Sequence, residues 1–299
     1  MHIPDNFLST PVWATLDVVS IPTVALMVRR AGKELEDTRI PLLGVMGAFV
    51  FAAQMINFPV GAGTSGHLVG GALLACTLGP SPAALVLTAI IAIQAFVFQD
   101  GGVLALGANV FNMAIAGVLA GYLPFRLWGA RHRKAAIFAG AFLSVLVSAA
   151  LALSELLISG VAMPRAIVLI SVGLFAVSAA IEGAITISVV QAIENLNPGF
   201  VQKPDRAGGR ALAAIAAGAT ILALAGFMIA STAPDGIERL GAQLRLSAKA
   251  NFRAPMPDYN LVSFDSAWIR RATAGLAGLL LVYGVCLAAG RLIGRHRST

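Results

Sequence analysis

An all-α, polytopic membrane helical bundle is what this sequence predicts. Of its 299 residues 58% are hydrophobic and only 12% charged, with a mean hydropathy of +0.84. Several apolar stretches exceed the roughly 18 residues that a helix needs to cross a bilayer. A soluble domain is thereby excluded. The net charge of +7 does not point to nucleic acid, because the basic residues sit in short loops between apolar segments, where they orient helices in a membrane. Cys76 and Cys286 each fall inside an apolar segment, far apart in sequence, so helix packing explains them better than a disulfide.

In chain order, about nine segments emerge, near 10–28, 40–58, 67–79, 82–98, 103–124, 135–160, 165–193, 211–230 and 268–290. Four basic clusters lie between or after them: Arg29, Arg30, Lys33 and Arg39; Arg126, Arg131, Arg133 and Lys134; Lys203, Arg206 and Arg210; Arg291, Arg295 and Arg297. Placing all four in the cytoplasm gives a self-consistent alternation, with the N-terminus outside and the C-terminus inside. The long stretch 231–267 then lies outside, where its own Arg239, Arg245, Lys249 and Arg253 weigh less, because long loops translocate largely regardless of charge.

Segment 67–79 is too short to span. A dozen residues before Gly79-Pro80 make a helix of about 18–20 Å, against a hydrocarbon core of ~30 Å. Its amino end therefore lies at membrane depth, preceded by the irregular run Gly61-Ala62-Gly63-Thr64-Ser65-Gly66. Such backbone is tolerated there only when buried in protein or lining a cavity, which predicts a pocket with His67 at its floor. A helix amino terminus disfavours imidazolium and keeps His67 available as a ligand.

The opening Met1-His2-Ile3-Pro4-Asp5 points to the chemistry of that pocket. No basic stretch or short apolar core with an evident cleavage site precedes it, so the start reads as mature and not as a signal peptide. The Met1 amine, the His2 main-chain nitrogen and the His2 ring Nδ1 can close fused five- and six-membered rings around one cation, leaving one corner of a square plane open. His67 is the candidate for that corner. A histidine at position three would complete the plane without the rest of the protein; at position two, the protein keeps control of the fourth donor. A planar nitrogen set suits Ni(II), admits Co(II) and leaves Cu(II) as a competitor. His132 and His296 belong to basic loops and read as solvated.

Three separated blocks carry a resemblance: Met1-His2-Ile3-Pro4-Asp5; Gly66-His67-Leu68-Val69-Gly70-Gly71-Ala72; and Gln99-Asp100-Gly101-Gly102 leading to Leu106-Gly107-Ala108-Asn109-Val110-Phe111-Asn112-Met113. They resemble the substrate-capture (S) component of nickel/cobalt energy-coupling-factor transporters, the CbiM/NikM family, over about residues 1–200. Ala233-Pro234-Asp235-Gly236-Ile237-Glu238 resembles the accessory NikN/CbiN module, with its PDGLE-like motif, fused to nickel-type members, here 201–299. Asn6 stands where the family's opening motif has glycine. The resemblance implies Ni²⁺ or Co²⁺ as transported cargo, held by Met1, His2 and His67. It also implies residence in the bacterial cytoplasmic membrane, a transmembrane coupling (T) subunit and two cytoplasmic ATPase (A) subunits. In keeping with borrowed ATPases, the chain has no G-x-x-x-x-G-K-[ST] phosphate loop.

The remaining polar and small residues divide into roles. Asp100, Asn109 and Asn112 are candidates for groups that orient the claw or the His67 ring, with interhelical hydrogen bonding the plainer alternative. Ser178, Glu182 and Thr186, at four-residue spacing, form one polar stripe that should face the bundle interior, as should Asp17. Gly44, Ala48 and Ala52 make a smooth helix face on which a partner helix could pack, while Gly117 with Gly121 reads as an internal contact. A proton-coupled secondary transporter using Asp17 and Glu182 is the rival reading, and a membrane metalloenzyme the third, though no nucleophile or acid/base constellation accompanies either histidine. Because ligation needs unprotonated donors, metal affinity is expected to fall as pH drops through the histidine range near ~6–6.5.

Overall fold

The computed structural model describes residues 1–198, 200, 209–249, 252–261 and 264–295. Lys203, Arg206, His296 and Arg297 lie outside the described residues, as does the expected domain boundary at 200/201. The protein is built around α1 (Thr10–Glu34), α2 (Ile40–Gln54), α3 (Gly71–Leu78), α4 (Pro80–Ile93), α5 (Leu106–Asn109), α6 (Val118–Trp128), α7 (Arg133–Ile158), α8 (Arg165–Leu196), α9 (Gly209–Ala225), α10 (Gly236–Gln243) and α11 (Ala267–Arg295). Pro11 opens α1 at a position where a missing N–H costs nothing. The outward face of α1 carries Val18 and Ile21, both about 70% exposed to the surroundings, as suits a helix bathed in lipid.

Seven helical stretches among the described residues are long and apolar enough to cross a membrane, two fewer than the sequence suggested. The difference lies in the second and third segments. α2 is 15 residues long and α3 only eight. Between them the chain turns through a two-stranded antiparallel hairpin, β1 (Phe58–Gly61) and β2 (Thr64–Gly66), which departs from the expected all-α content. Gly61, Ala62 and Gly63 all have positive φ, a tight reversal that glycine makes at little steric cost. At the far end of α3, the Thr77 and Leu78 carbonyls accept from Arg39 Nη2, at 3.4 and 3.5 Å. α2 and α3 thus enter from one end of the bundle and return to it, with the hairpin held between them at the opposite end.

α3 begins at Gly71, four residues later than expected, so His67 sits in the linker before the helix and not on its first turn. The cause is local. Gly70 has φ +77, and a Cβ there would press on Val50. The two backbone N–H groups just before the helix are taken from outside: Val69 N donates to Glu182 Oε2 at 2.7 Å and Gly70 N to Glu182 Oε1 at 2.8 Å. The fully buried Glu182 of α8 therefore caps the short helix and fixes the His67 linker.

The Gly44, Ala48 and Ala52 stripe does not offer a free surface. Gly44 lies under the Tyr283 ring of α11, Ala48 is buried, and Ala52 clusters with Ala219 and Ala223 of α9. The chain's own last helices occupy the face expected to receive a partner, because small residues let backbones approach closely whichever helix arrives. Gly117 and Gly121 pack internally as expected, against Ser148 and against Ala72 with Ser144.

Two wide π-helical segments escaped sequence reading. Gln94–Phe98 ends α4 and Val110–Gly117 joins α5 to α6. The first runs into the loop 99–105, which meets the amino-terminal segment, and the second follows that loop after the short α5; such segments often mark functional sites.

Candidate metal centre

The amino-terminal segment is plugged into the bundle. Met1, His2 and Ile3 are 6%, 3% and 0% exposed. Ile3 is gripped on both sides by one side chain: its N donates to Asn109 Oδ1 at 2.7 Å and its carbonyl accepts from Asn109 Nδ2 at 3.1 Å and from Gly102 N at 2.9 Å. Asp5 accepts from Leu104 N at 2.8 Å, and a Cβ on Gly102 would collide with Asp5, so glycine is required where the two segments cross. Asn6, in place of the family's glycine, has φ +70. Asparagine is among the few residues that enter this left-handed region readily, so the turn survives. Phe7 and Leu8 then bury as anchors.

This grip brings the expected donors together. The Met1 amine is 2.5 Å from His67 Nε2. His67 Nδ1 lies 3.0 Å from the Leu68 carbonyl, which can only accept; the proton therefore sits on Nδ1 and the Nε2 lone pair faces the amine. The His2 ring stacks on His67, centroids 5.3 Å apart and 7° from parallel. Neither ring nitrogen of buried His2 has a hydrogen bond, although Asp100 Oδ1 approaches His2 Nδ1 to 3.1 Å out of line for one. Among the described residues no group of three His, Cys, Asp or Glu side chains is arranged to hold a metal ion. The donors expected of Met1 and His2, a terminal amine and a main-chain nitrogen, are not side chains and fall outside such groups.

Asp235 is the member that sequence reading missed. Its Oδ2 is 2.6 Å from the Met1 amine and 3.9 Å from His67 Nε2. Its Oδ1 caps α10, accepting from Ile237 N and Glu238 N at 2.8 Å each, while Glu238 reaches back to Asp235 N at 2.9 Å. This capping box was legible in the spacing Asp235-x-x-Glu238. Its destination was not. The loop before it is sewn to the hairpin, with Ser65 N donating to Pro234 O at 2.9 Å and Ser65 Oγ to Ala233 O at 2.7 Å.

Of the three proposed orienting residues, Asp100 and Asn109 touch the claw and Asn112 does not. Asn112 Nδ2 donates to Glu155 Oε2 at 2.9 Å, because the π-helical segment that begins at Val110 turns it onto α7. A polar chain unseen in the sequence supports Asp100. Gln54 Nε2 donates to Val69 O at 2.8 Å, Gln94 Nε2 to Gln54 Oε1 at 2.9 Å and to Tyr259 Oη at 3.2 Å, and Tyr259 Oη to Asp100 Oδ2 at 2.5 Å. The Tyr259 ring stacks on Phe98, 4.6 Å between centroids.

Electrostatics follow the contacts. Burial pulls His67 down to about 4, helped by the charge on the Met1 amine and by His2. Its imidazole thus stays neutral well below the pH 6–6.5 range that the sequence suggested for loss of ligation. Burial alone would raise Asp235 and Asp100, but the Met1 amine and His67 hold Asp235 below its usual range, and His2 holds Asp100 far below. Burial and the Asp100 charge push Tyr259 up, keeping its hydroxyl a donor. Above the claw opens a cavity of about 780 Å³ with His2, His67, Asp100, Asp235, Glu238 and Tyr259 on its walls. Three carboxylates on one wall set attract cations.

Comparison with known proteins points the same way. A family model described as the cobalt uptake substrate-specific transmembrane region matches residues 2–200. A Haloquadratum walsbyi protein named as a metal transport protein is 44% identical over 209 residues, covering 67% of this chain and 93% of that one. An Archaeoglobus fulgidus protein named as a fused nickel transport protein is 34% identical over 305 residues, covering all of both chains. The crystal structure of a truncated transition metal transporter shares 31% identity and a TM-score of 0.58, covering 65% of this chain and 99% of its own.

Proposed function

The chain belongs to the CbiM/NikM family of nickel and cobalt transport components, fused to an accessory module, and we propose that it is the ion-capturing subunit of an ATP-driven, energy-coupling-factor uptake system that favours nickel. One observation carries this reading: the Met1 amine, His2 and His67 meet at a buried point under a cavity. Residues 1–200 form the metal-binding part and 201–299 the accessory part. The cation replaces the proton now shared between the Met1 amine and His67 Nε2, the His2 main-chain N–H gives its proton to water in the cavity, and the Met1 amine, the His2 main-chain nitrogen and His2 Nδ1 close the chelate around the ion. His67 Nε2 is the fourth donor. Because its Nδ1–H is tied to the Leu68 carbonyl and its linker is tied to Glu182, a shift of α8 would withdraw His67 and open the plane for release.

The direction of each helix supports an N-terminus outside in a cytoplasmic membrane. With α2 and α3 forming an entering and returning pair, Arg39, the basic stretch 126–134, Arg210 and Arg291 all fall at one end of the bundle, and the metal centre at the other. The motor then consists of a membrane coupling (T) subunit and two cytoplasmic ATPase (A) subunits. The carboxylates of the proton-coupled alternative are engaged with backbone: Asp17 accepts from Gly107 N at 2.8 Å and Glu182 from Val69 and Gly70. That engagement favours an external energy source.

The test is to prefix one alanine to Met1, which displaces the amine and leaves the histidine at position three. The altered chain is expected to lose Ni²⁺ and Co²⁺ uptake in cells supplied with the coupling and ATPase subunits; unchanged uptake overturns the reading. Uptake that survives removal of the ATPases but stops with a proton uncoupler would establish the alternative.

A further inference from the structure

We propose that Glu155, a buried carboxylate of α7 bonded to Asn112, is a positioning residue for the claw. The inference rests on the claw reading above and extends it to a helix that supplies no donor. α7 holds Asn112 at two points. Asn112 Nδ2 donates to Glu155 Oε2 at 2.9 Å, and its carbonyl stands 2.8 Å from Ser148 Oγ, which divides its proton between that oxygen and the Ser144 carbonyl. Ser148 and Glu155 are about two turns apart and share one face of α7. Gly117 makes room for the grip, since a Cβ there would stand 2.6 Å from Ser148 Oγ.

Asn112 and Asn109 then face opposite ways. At α-helical winding, residues three apart share a face. The wider winding from Val110 to Gly117 turns them apart, Asn112 onto α7 and Asn109 onto Ile3, whose N–H and carbonyl it holds at 2.7 and 3.1 Å. Fixing Asn112 fixes the winding, and the winding sets where Asn109 points. A carboxylate on a membrane helix is costly without a partner inside the bundle, and an apolar pair would join the two helices without that cost. The charged group therefore marks a directed bond. It has a counterpart on α8, where Glu182 holds the His67 linker through Val69 N and Gly70 N. One side of the metal centre is thus tied to α7 and the other to α8. A shift of α8 past α7 withdraws His67 while Glu155 keeps the claw in place.

The experiment uses the full-length chain in detergent and compares wild type with Glu155→Ala, Glu155→Gln, Asn112→Ala and Asn109→Ala, with the first and third also placed in the Asn109→Ala background. Calorimetry with Ni²⁺ alone reads affinity. An amine-reactive reagent followed by peptide mass mapping reads the shielding of the Met1 amine in the metal-free chain, with exposed Lys134 as internal standard. Glu155→Ala and Asn112→Ala are each expected to weaken binding about three- to tenfold, less than the loss of a group that orients a ligand directly. Both should speed labelling of Met1 and leave that of Lys134 unchanged. Glu155→Gln keeps an oxygen that accepts from Asn112 and is expected to recover most of the affinity. In the Asn109→Ala background neither change is expected to weaken binding further. An additional loss there, or unaltered Met1 labelling beside a lowered melting temperature, would overturn the proposal and leave an ordinary helix contact. Should Glu155→Ala fail to fold, Asn112→Ala carries the same comparison. A wild type that binds no Ni²⁺ would overturn the claw instead, and the labelling of Met1 would still decide whether Glu155 holds the terminus.

Discussion

Asn109→Ala isolates the grip on the amino terminus from the donors themselves. The side chain lies outside the expected donor set, yet it holds Ile3 N at 2.7 Å and the Ile3 carbonyl at 3.1 Å, and Ile3 is 0% exposed. Removing it orphans a buried N–H, at a cost of about 1–3 kcal/mol. The carbonyl keeps its bond from Gly102 N, so its share is smaller, about 0.5–1 kcal/mol. The cost falls on the docked claw only, since an undocked terminus finds water. A penalty of about 2 kcal/mol on the binding-competent state weakens apparent affinity by up to roughly 30-fold, the full factor applying when docking is marginal. Calorimetry with Ni²⁺ on the purified chain reads this directly, alongside thermal unfolding to confirm that the bundle is intact. The variant should melt close to wild type and bind at least about tenfold more weakly. An affinity within threefold of wild type would refute the idea that the claw is held by this residue.

Tyr259→Phe keeps the stack on Phe98 but deletes the 2.5 Å bond to Asp100 Oδ2, freeing the carboxylate that stands beside His2. We expect Ni²⁺ affinity to fall by about three- to tenfold, the value of an ordinary hydrogen bond, with melting temperature nearly unchanged; equal affinity would detach Tyr259 from the site. The His67 shift makes a signed prediction for pH. Its ordinary value of 6.5 is lowered to about 4 in the fold, so between those limits the unfolded chain binds a proton that the folded chain refuses. Stability contributed by this group is therefore complete above about pH 6.5 and lost as pH falls toward 4. Melting temperatures measured across that window should decline, less steeply in His67→Gln; an identical slope in the variant would contradict the assignment.

Much of this protein is written locally. Composition and the length of apolar runs dictate membrane helices because lipid leaves no other partner for backbone N–H and C=O groups. The shortness of the third segment, and hence a buried non-helical approach to His67, follows from where Gly79-Pro80 stops it. The donor chemistry of an amine followed by histidine is carried by two adjacent residues. Those inferences need no knowledge of what lies across the bundle.

The rest depends on which surfaces meet. Whether α3 began at 67 or 71 was decided by Glu182, more than a hundred residues away, taking the N–H groups of Val69 and Gly70. The smooth face of α2 suited any helix, and tertiary packing assigned it to α9 and α11 of the same chain. Asn109 and Asn112 look alike in sequence, but the π-helical winding after Val110 sends one to Ile3 and the other to Glu155. Asp235 stands in the sequence only as part of the run 233–238, and only the docking of its loop on the hairpin placed its Oδ2 against an amine 234 residues earlier. Hydropathy and spacing report what a residue can do with its neighbours along the chain; the partner of a buried charge is chosen by the packing that excludes water around it.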